Sequence, residues 1–176
     1  MILGLDISTS ITGVTILDRD NELIYCEAWR TDKPKLSVYD KLDIIKDKIC
    51  YLKSQYPIEK IYVETPLGMF AAGRSSAQVI SKLQRFNGVV CWILREVFDM
   101  EPQYINASTA RKMCGIKVKR GEKSKEVVLE FLLKNEKKFK AEYTKKGNPV
   151  KGVYDKADSL VIAKAGYYLN KRGEQA

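Results

Sequence analysis

Four acidic residues stand where a carboxylate is costly unless it has a partner. Asp6 interrupts the apolar run MILGLDIS, and Glu64 lies at the end of the apolar run KIYVET. Asp155 and Asp158 are three residues apart in YDKADSL, a spacing that puts both side chains on one face of a helix. A carboxylate within an apolar strand is destabilising unless it is paired or binds a metal. The four acids are therefore candidate ligands of a metal ion.

Each acid also has a structural interpretation. Asp6 comes just before the turn STS and can accept hydrogen bonds from the amides of that turn. A helix N-terminus favours acids in its first turn, which is enough to explain Asp155 and explains Asp158 less well. The sequence alone leaves both interpretations open.

The absence of one residue type narrows the chemistry. The chain has no histidine, so histidine-based metal sites and Ser-His or Cys-His catalytic groups are excluded. Carboxylate oxygens favour Mg²⁺, with Mn²⁺ as a substitute, over zinc. Two such ions about 3.5–4 Å apart can hold the attacking and the leaving oxygen of a phosphodiester. We therefore expect two ions in one active site and no organic cofactor.

Positive charge is concentrated in one part of the chain. The formal net charge is +9, and the stretch 111–151 holds 14 Lys and Arg against 5 acidic residues. The rest of the chain is balanced at 17 residues of each sign. A local positive field of this kind favours a polyanion, with nucleic acid as the first candidate. The alternative is a lysine-rich helix and loop that are simply solvated.

The hydropathy pattern predicts one α/β domain over residues 1–176. Apolar runs predict strands at 2–7, 11–18 and 22–30, joined by short turns as an antiparallel meander. Later elements are expected at 38–56 (helix), 60–65 (strand), 76–98 (helix), 103–105 (strand), 109–114 (helix), 124–140 (helix) and 154–171 (helix), with a mobile loop at 141–153. The result is a mixed five-stranded sheet, three antiparallel strands followed by crossover strands, flanked by helices.

The two long helices are expected to be amphipathic. The first buries Leu42, Ile45, Ile49 and Leu52, which recur at helical spacing. For the helix at 76–98 the predicted buried stripe is Val79, Leu83, Phe86, Val90, Ile93 and Val97.

Compartment signals are consistent with a cytoplasmic protein. No apolar run approaches the length of a membrane span, and the N-terminus does not read as a signal peptide. The four cysteines form no CxxC pair and are expected to be reduced thiols. We expect the cytoplasm of a bacterium or of a phage-infected host cell.

Taken in order, the four acids resemble those of RuvC-type Holliday junction resolvases, in the ribonuclease-H-like and retroviral-integrase-like nuclease superfamily. The opening GLDISTSITGVTIL resembles the first strand, turn and second strand of that family, with Asp6 and Gly13 at the matching positions. Glu64 matches the acid that ends the fourth strand, and Asp155 and Asp158 match the pair at the start of the last helix. The resemblance spans nearly the whole chain and implies a ribonuclease-H-like fold.

The resemblance also implies which residues contact DNA. The segment STARKMCGIKVKRGEKSKEVV resembles the DNA-contacting segment of the family, where Lys112 and Lys123 are the best matches. Lys123 is expected to reach the scissile phosphate and to act in catalysis. Phe70 and Arg74, in the loop after Glu64, are expected to probe an opened junction. The alternative is that both side chains only pack within that loop. Further expected phosphate contacts are Arg111, Lys117, Lys119, Arg120 and Lys125.

The implied activity is structure-selective cleavage of branched DNA. Members of the family are homodimers that nick two opposed strands and leave 5′-phosphate and 3′-hydroxyl ends. The helix at 76–98 is a candidate dimer element, because Ala77, Ser81, Gly88 and Trp92 fall on a second face. The alternative is that Trp92 covers the edge of the core. A lysine-rich stretch at 135–154 and a Pro-Leu-Gly after the second acid indicate a divergent or phage-type member.

Other functions stay open at this point. A ribonuclease-H-like nuclease acting on flaps, other branched DNA or RNA–DNA hybrids would use the same four acids. A DNA-binding module without activity is disfavoured because all four acids are present. An actin-like or sugar-kinase-like phosphate-binding domain also opens with an aspartate and a small-residue turn, but it would need a second domain and glycine-rich loops.

Overall fold

The computed structural model describes residues 1–66 and 77–173. The strands are β1 (Ile2–Asp6), β2 (Ile11–Leu17), β3 (Leu23–Arg30), β4 (Lys60–Glu64) and β5 (Gln103–Ile105). The helices are α1 (Val38–Gln55), α2 (Ala77–Phe98), α3 (Ala107–Met113), α4 (Ser124–Asn135) and α5 (Val153–Gly173). No helix in these ranges is long and apolar enough to span a membrane.

The five strands form one mixed sheet in the order β3-β2-β1-β4-β5. β1 pairs antiparallel with β2, and β2 pairs antiparallel with β3. β4 lies parallel to β1, and β5 lies parallel to β4. The mixed five-stranded sheet predicted from the sequence is confirmed. Because β1 and β4 are parallel neighbours with Leu5 opposite Val63, both strands end at the same edge of the sheet.

Helices cover both faces of the sheet. α1 and α2 pack on one face, where the predicted stripe Leu42, Ile45, Ile49 and Leu52 is buried as expected. α5 crosses the other face, with α3 and α4 packed against it. Each face thus has its own apolar core, and the sheet forms the layer between them.

The predicted buried stripe of α2 is partly wrong. Val79 is 56% exposed, and Leu83 and Val97 are only partly buried. Phe86, Val90 and Ile93 are buried as predicted, and the helix also buries Ile80, Asn87, Cys91, Leu94 and Phe98. The buried stripe is therefore rotated from the predicted one, because helical spacing alone did not decide which apolar residues at its border face the core.

The chain after α4 also differs from the prediction. α4 ends at Asn135 and not near residue 140, and the backbone N–H of Glu136 donates to the carbonyl of Leu132 at 2.8 Å. The Glu136 carboxylate pairs with the mostly buried ammonium of Lys164 at 2.6 Å, which turns the chain towards α5. Phe139 is then buried against that helix. The tertiary ion pair therefore overrides the helical pattern of the sequence.

α5 lies unusually close to the sheet because glycines stand at the contacts. A Cβ at Gly13 in β2 would lie 1.9 Å from the carbonyl oxygen of Asp155, and a Cβ at Gly4 would lie 2.6 Å from Ala163. The hydroxyls of Thr15 and Ser159 hydrogen-bond at 2.8 Å across the same contact. The start of α5, with its two acids, is therefore held directly on β2.

The contact at Gly13 predicts a stability effect. Gly13→Ala should lower the free energy of unfolding by about 2–3 kcal/mol, because the added methyl collides with backbone and α5 must shift. Urea unfolding measures this effect. A Cβ at Gly173, at the end of α5, meets no atom within 4 Å, so the control Gly173→Ala should be neutral or stabilise by up to ~1 kcal/mol. Equal stability of wild type and Gly13→Ala would contradict the close packing of α5.

Candidate active site

Two of the four acids are placed by the ends of neighbouring strands. Asp6 is the last residue of β1 and Glu64 is the last residue of β4, and both are partly buried. The STS turn after β1 is closed by Ser8, whose hydroxyl oxygen accepts from the amides of Ser10 and Ile11. Within the described ranges, Asp6 has no hydrogen bond to that turn. The interpretation of Asp6 as a ligand of turn amides is therefore not supported.

The other two acids are placed by the start of α5. Asp155 lies in the first turn of the helix, and Asp158 follows one turn later with its side chain only 18% exposed. Gly13 allows this end of the helix to rest on β2, next to the end of β1. A role at the helix start remains compatible with Asp155, whereas Asp158 has no such role.

The four carboxylates act on one another electrostatically. Burial raises the pKa of Asp6 well above its ordinary value, and repulsion from Glu64, Asp158 and Asp155 raises it further. Burial, followed by the charge of Asp158, raises the pKa of Glu64 to about 7. Burial is also the main cause that raises the pKa of Asp158 to about 6 and increases the pKa of Asp155. The structure thus brings all four acids into one electrostatic cluster.

A cluster of this kind fits a hard divalent cation. Four buried or half-buried carboxylates repel one another, and a dication between them would offset both the repulsion and the desolvation. In the described part of the chain, no group of three or more acidic or cysteine side chains is already arranged to hold a metal ion. The four carboxylates suit Mg²⁺ because they are charged oxygen ligands. Their side chains would have to turn towards a bound ion.

Lys125, Arg111 and Lys151 act on the acids, the last on Asp155 alone, and Lys123 is not among these cations. The Nζ atom of Lys125 lies 4.0 Å from Oδ2 of Asp158, and its charge lowers the pKa of all four acids against the larger effects that raise it. Arg111 acts in the same way on Glu64 and Asp158. Lys123 donates to Glu126 at 2.9 Å, and its side chain is 79% exposed.

No signal in the sequence separates these two lysines. Both belong to KSK at the start of α4, where Lys123 is the N-cap residue and Lys125 lies in the first turn. Which of them faces α5 depends on the rotation of α4 against that helix. That rotation is set by tertiary packing of Val128, Leu129 and Leu132.

The other predicted phosphate contacts in the segment 111–125, Lys112, Lys117, Lys119 and Arg120, are exposed. Arg111, Lys112 and Lys117 line a cavity of about 310 Å³ together with Ser108 and Gly115. Lys119 and Arg120 are exposed on the turn that leads to α4. Phe70 and Arg74 lie outside the described residues, so their predicted contact with DNA stays a prediction.

A larger cavity of about 1060 Å³ lies at the opposite end of the sheet. It is lined by the beginnings of β1 and β4 and by the end of α5, including Ile2, Lys60 and Asn170. The acids lie at the other ends of these same elements. The cavity is therefore separate from the acidic cluster.

Three large apolar side chains of α2 are exposed, among charged ones such as Arg85 and Glu96. Trp92 is 59% exposed, and Val79 and Val89 on the same helix are also exposed. Ala77 and Gly88 are exposed, and Ser81 is partly buried. The interpretation that Trp92 covers the core edge is not supported, because most of its surface is free of the core.

Comparison with known proteins shows the fold. No protein-family model matches the sequence, and no curated protein matches it at a significant level. T. thermophilus RuvC in complex with a Holliday junction substrate is similar over 98% of this chain and 95% of its own, with a TM-score of 0.67 and 13% identity. A second Thermus thermophilus RuvC structure has a TM-score of 0.66 and 15% identity over 98% of this chain and 96% of its own.

A eukaryotic protein has the same architecture. The yeast mitochondrial Holliday junction resolvase Ydc2 is similar over 99% of this chain and 80% of its own, with a TM-score of 0.64 and 11% identity. Identities this low show the fold alone. The chain has the ribonuclease-H-like fold of RuvC-type resolvases, as its sequence motifs predicted.

Proposed function

We propose that the protein is a Mg²⁺-dependent endonuclease that resolves four-way (Holliday) or related branched DNA junctions and leaves 5′-phosphate and 3′-hydroxyl ends. The main support is the cluster of four acids at one edge of the sheet, each with a raised pKa. The fold, shared with proteins described as Holliday junction resolvases, supports the choice of branched DNA as substrate.

In this proposal the four carboxylates are metal ligands. Asp6 and Glu64 hold the ions from the strand ends, and Asp155 and Asp158 hold them from the start of α5. Bound Mg²⁺ or Mn²⁺ ions supply a Lewis acid that activates water and stabilises the departing 3′ oxygen. The protein orients the acids through the strand ends and through the close contact of α5 with Gly13. The carboxylates need no nucleophilicity of their own.

Two cations complete the proposed site. Lys125 and Arg111 lie beside the acids. Their positive charges would bind the scissile phosphate and offset its repulsion from the carboxylates. A cation at this position stabilises negative charge that develops on the phosphate in the transition state. Lys112, Lys117, Lys119, Arg120 and Lys123 are more exposed and would contact phosphates further along the DNA.

We also propose that the protein acts as a homodimer through the outer face of α2. Val89 and Trp92 are exposed apolar side chains one turn apart on α2, and the neighbouring Gly88 leaves room for a close approach between helices. Exposed aromatic and aliphatic side chains on one face are typical of interfaces. Two copies related by a twofold axis would present two acidic clusters to two opposed DNA strands.

The dimer predicts a large effect of one substitution. Trp92→Asp should weaken dimerisation by at least about thirtyfold, because a central aromatic residue commonly contributes 2 kcal/mol or more to an interface. Sedimentation analysis over a concentration series measures this change. Tyr51→Asp on α1 is the matched control, because that aromatic side chain is 58% exposed on a different helix. A wild-type protein that remains monomeric at all concentrations, with or without junction DNA, would overturn the dimer.

Cleavage of four labelled substrates tests the proposed function. Four-way junction, flap, linear duplex and RNA–DNA hybrid should be compared in Mg²⁺ and in Mn²⁺, with Asp6→Asn as the inactive control. We expect paired nicks in the four-way junction and little cleavage of the linear duplex. Preferred cleavage of the hybrid or of the flap would instead support the alternative, a ribonuclease-H-like nuclease with a different substrate. The absence of metal-dependent cleavage of all four would overturn the proposal.

A further inference from the structure

A short basic hairpin precedes α5, in the stretch 141–153 that the sequence predicted to be a mobile loop. We define the basic hairpin as residues 141–151. Tyr143 and Pro149 form an antiparallel bridge, and the Val150 N–H donates to the carbonyl of Glu142 at 2.8 Å. The Gly147 N–H donates to the carbonyl of Thr144 at 2.9 Å, and Gly147 has a φ of 77°. This is the geometry of a tight three-residue hairpin loop, with Lys145 and Lys146 at its tip.

The base of the basic hairpin is fixed to the sheet. Lys151 forms an ion pair with Asp32, which follows β3 and also pairs with Arg30. Gly152, with a φ of 102°, packs against Ala28 in β3 so closely that a Cβ would lie 2.7 Å from that side chain. Val153 is buried directly after it. The tip is thus carried on a rigid base.

The tip itself is exposed and positively charged. Lys145 and Lys146 are both exposed, and no side chain in the ranges 1–66 and 77–173 forms an ion pair or hydrogen bond with either ammonium group. Two adjacent lysines held on a tight turn repel each other, and no side chain in these ranges offsets that repulsion by an ion pair or hydrogen bond. An anionic partner would stabilise them, and the phosphates of nucleic acid are such a partner.

The basic hairpin and the segment 111–125 lie on opposite sides of the acids. The hairpin is fixed to β3, one outer strand of the sheet, whereas α3 directly follows β5, the other outer strand, and its Arg111 acts on Glu64 at the end of β4. Asp6 and Glu64 end the strands between them. Arg30 pairs with Ile11, which follows the turn after Asp6, so the anchor of the hairpin and the acids are at the same edge. Five residues from Lys151 to Lys146 span at most ~17 Å, or about five base pairs of duplex.

We propose that Lys145 and Lys146 bind the phosphate backbone of a DNA arm on the β3 side of the active site, opposite the arm held by residues 111–125. The inference rests on the proposed function and extends it, because it assigns a second DNA-binding surface that the family resemblance did not provide. Two separated basic surfaces with the acids between them fit a substrate whose arms diverge from the point of cleavage.

The test compares two double variants that each remove two positive charges. Lys145→Ala with Lys146→Ala removes the tip of the basic hairpin. Lys46→Ala with Lys60→Ala is the matched control, because both are exposed and lie on α1 and at the far end of β4. Binding of the full chain to a labelled four-way junction should be measured without divalent metal over a salt series, with melting curves to confirm folding.

The hairpin variant should bind about tenfold more weakly at moderate salt, and its slope of log K against log salt should flatten by about two. The control variant should bind like the wild type. Hydroxyl-radical footprints should lose protection within about five base pairs of the cleavage point in the hairpin variant only. Single-turnover cleavage at subsaturating protein should fall together with the affinity, because less of the junction is bound.

The outcomes separate this inference from the proposed function. Unchanged affinity, salt slope and footprint in the hairpin variant would overturn the role of the basic hairpin, whereas wild-type cleavage of junctions would still support the nuclease. A wild type that binds junctions but cleaves none of them would overturn the nuclease, and the hairpin comparison would still be decided by binding. A wild type that binds no DNA would overturn both.

Discussion

Asp158→Asn is expected to reduce the single-turnover rate of junction cleavage by about a thousandfold or more in saturating Mg²⁺. The substitution keeps the shape of the side chain but removes a charged metal ligand from the acidic cluster. Affinity for the junction, measured without metal, should be equal or higher, because one negative charge that faces the phosphates is gone. Asp6→Asn should behave alike.

Asp47→Asn on α1 is the matched control for both, because Asp47 is exposed and lies on the helix layer that covers the opposite face of the sheet. Its cleavage rate should equal that of the wild type. Near wild-type turnover of either Asp158→Asn or Asp6→Asn in saturating Mg²⁺ would show that the residue is not a metal ligand.

Asp158→Asn should also stabilise the metal-free protein against unfolding. Burial raises the pKa of Asp158 to about 6, so folding at neutral pH requires either a proton or an unfavourable buried charge. The folded state then binds more protons than the unfolded state, and the free energy of unfolding falls as the pH rises from about 4 to about 6. Asn carries no charge and escapes this loss. We expect Asp158→Asn to be more stable than the wild type at pH 7 by about 1–3 kcal/mol.

Urea unfolding between pH 4 and pH 8 in a chelator measures this gap. It should be near zero at pH 4 and should widen with pH up to about 7. Added Mg²⁺ should then stabilise the wild type more than the variant, because a ligand that binds only the folded state raises its stability. A gap that is constant with pH would contradict the assignment of its cause to ionisation of Asp158.

Lys125→Ala is expected to cut the single-turnover rate by about 10²–10³-fold, with only a small loss of affinity. Its ammonium group lies 4.0 Å from the Asp158 carboxylate and acts on all four acids, so it is placed to contact the phosphate that they hold. Lys123→Ala should lower affinity slightly and leave the rate nearly unchanged, because Lys123 pairs with Glu126 and points to solvent. Rates at saturating protein, measured beside binding over a salt series, separate the two effects.

Lys125→Arg provides a further control, because it keeps the charge and should retain part of the rate. The opposite result, a large loss of rate in Lys123→Ala with little loss in Lys125→Ala, would restore the role that the family resemblance implied for Lys123. It would also mean that α4 rotates when DNA binds. Equal small losses in both variants would remove both lysines from the chemistry.

The sheet and the four acids were predictable because their signals are local. Asp6 and Glu64 each end an apolar strand, and one crossover helix between the strands makes them parallel neighbours. Asp155 and Asp158 share a helix face by spacing alone. None of these inferences needs the position of a side chain.

Other features depended on how one element rotates against another. The lysine that lies beside the acids, Lys125 and not Lys123, follows from the packing of α4 on α5. The buried side of α2 is decided by contacts among many apolar candidates, and Val79 was assigned to it wrongly. The end of α4 is set by the ion pair between Glu136 and Lys164, which joins segments that are distant in sequence.

The dependence of the acidic cluster on α5 has a consequence for synthesis of the protein. Asp6 leaves the ribosome early, but Asp155 and Asp158 follow only about 150 residues later, after all five strands. Until α5 settles onto Gly4 and Gly13, one apolar face of the sheet is uncovered and only half of the acids are present. A nascent chain that has folded its strands would therefore be unable to cut DNA. For the proposed nuclease, the order of translation would delay cleavage until the helix that also completes the fold has been made.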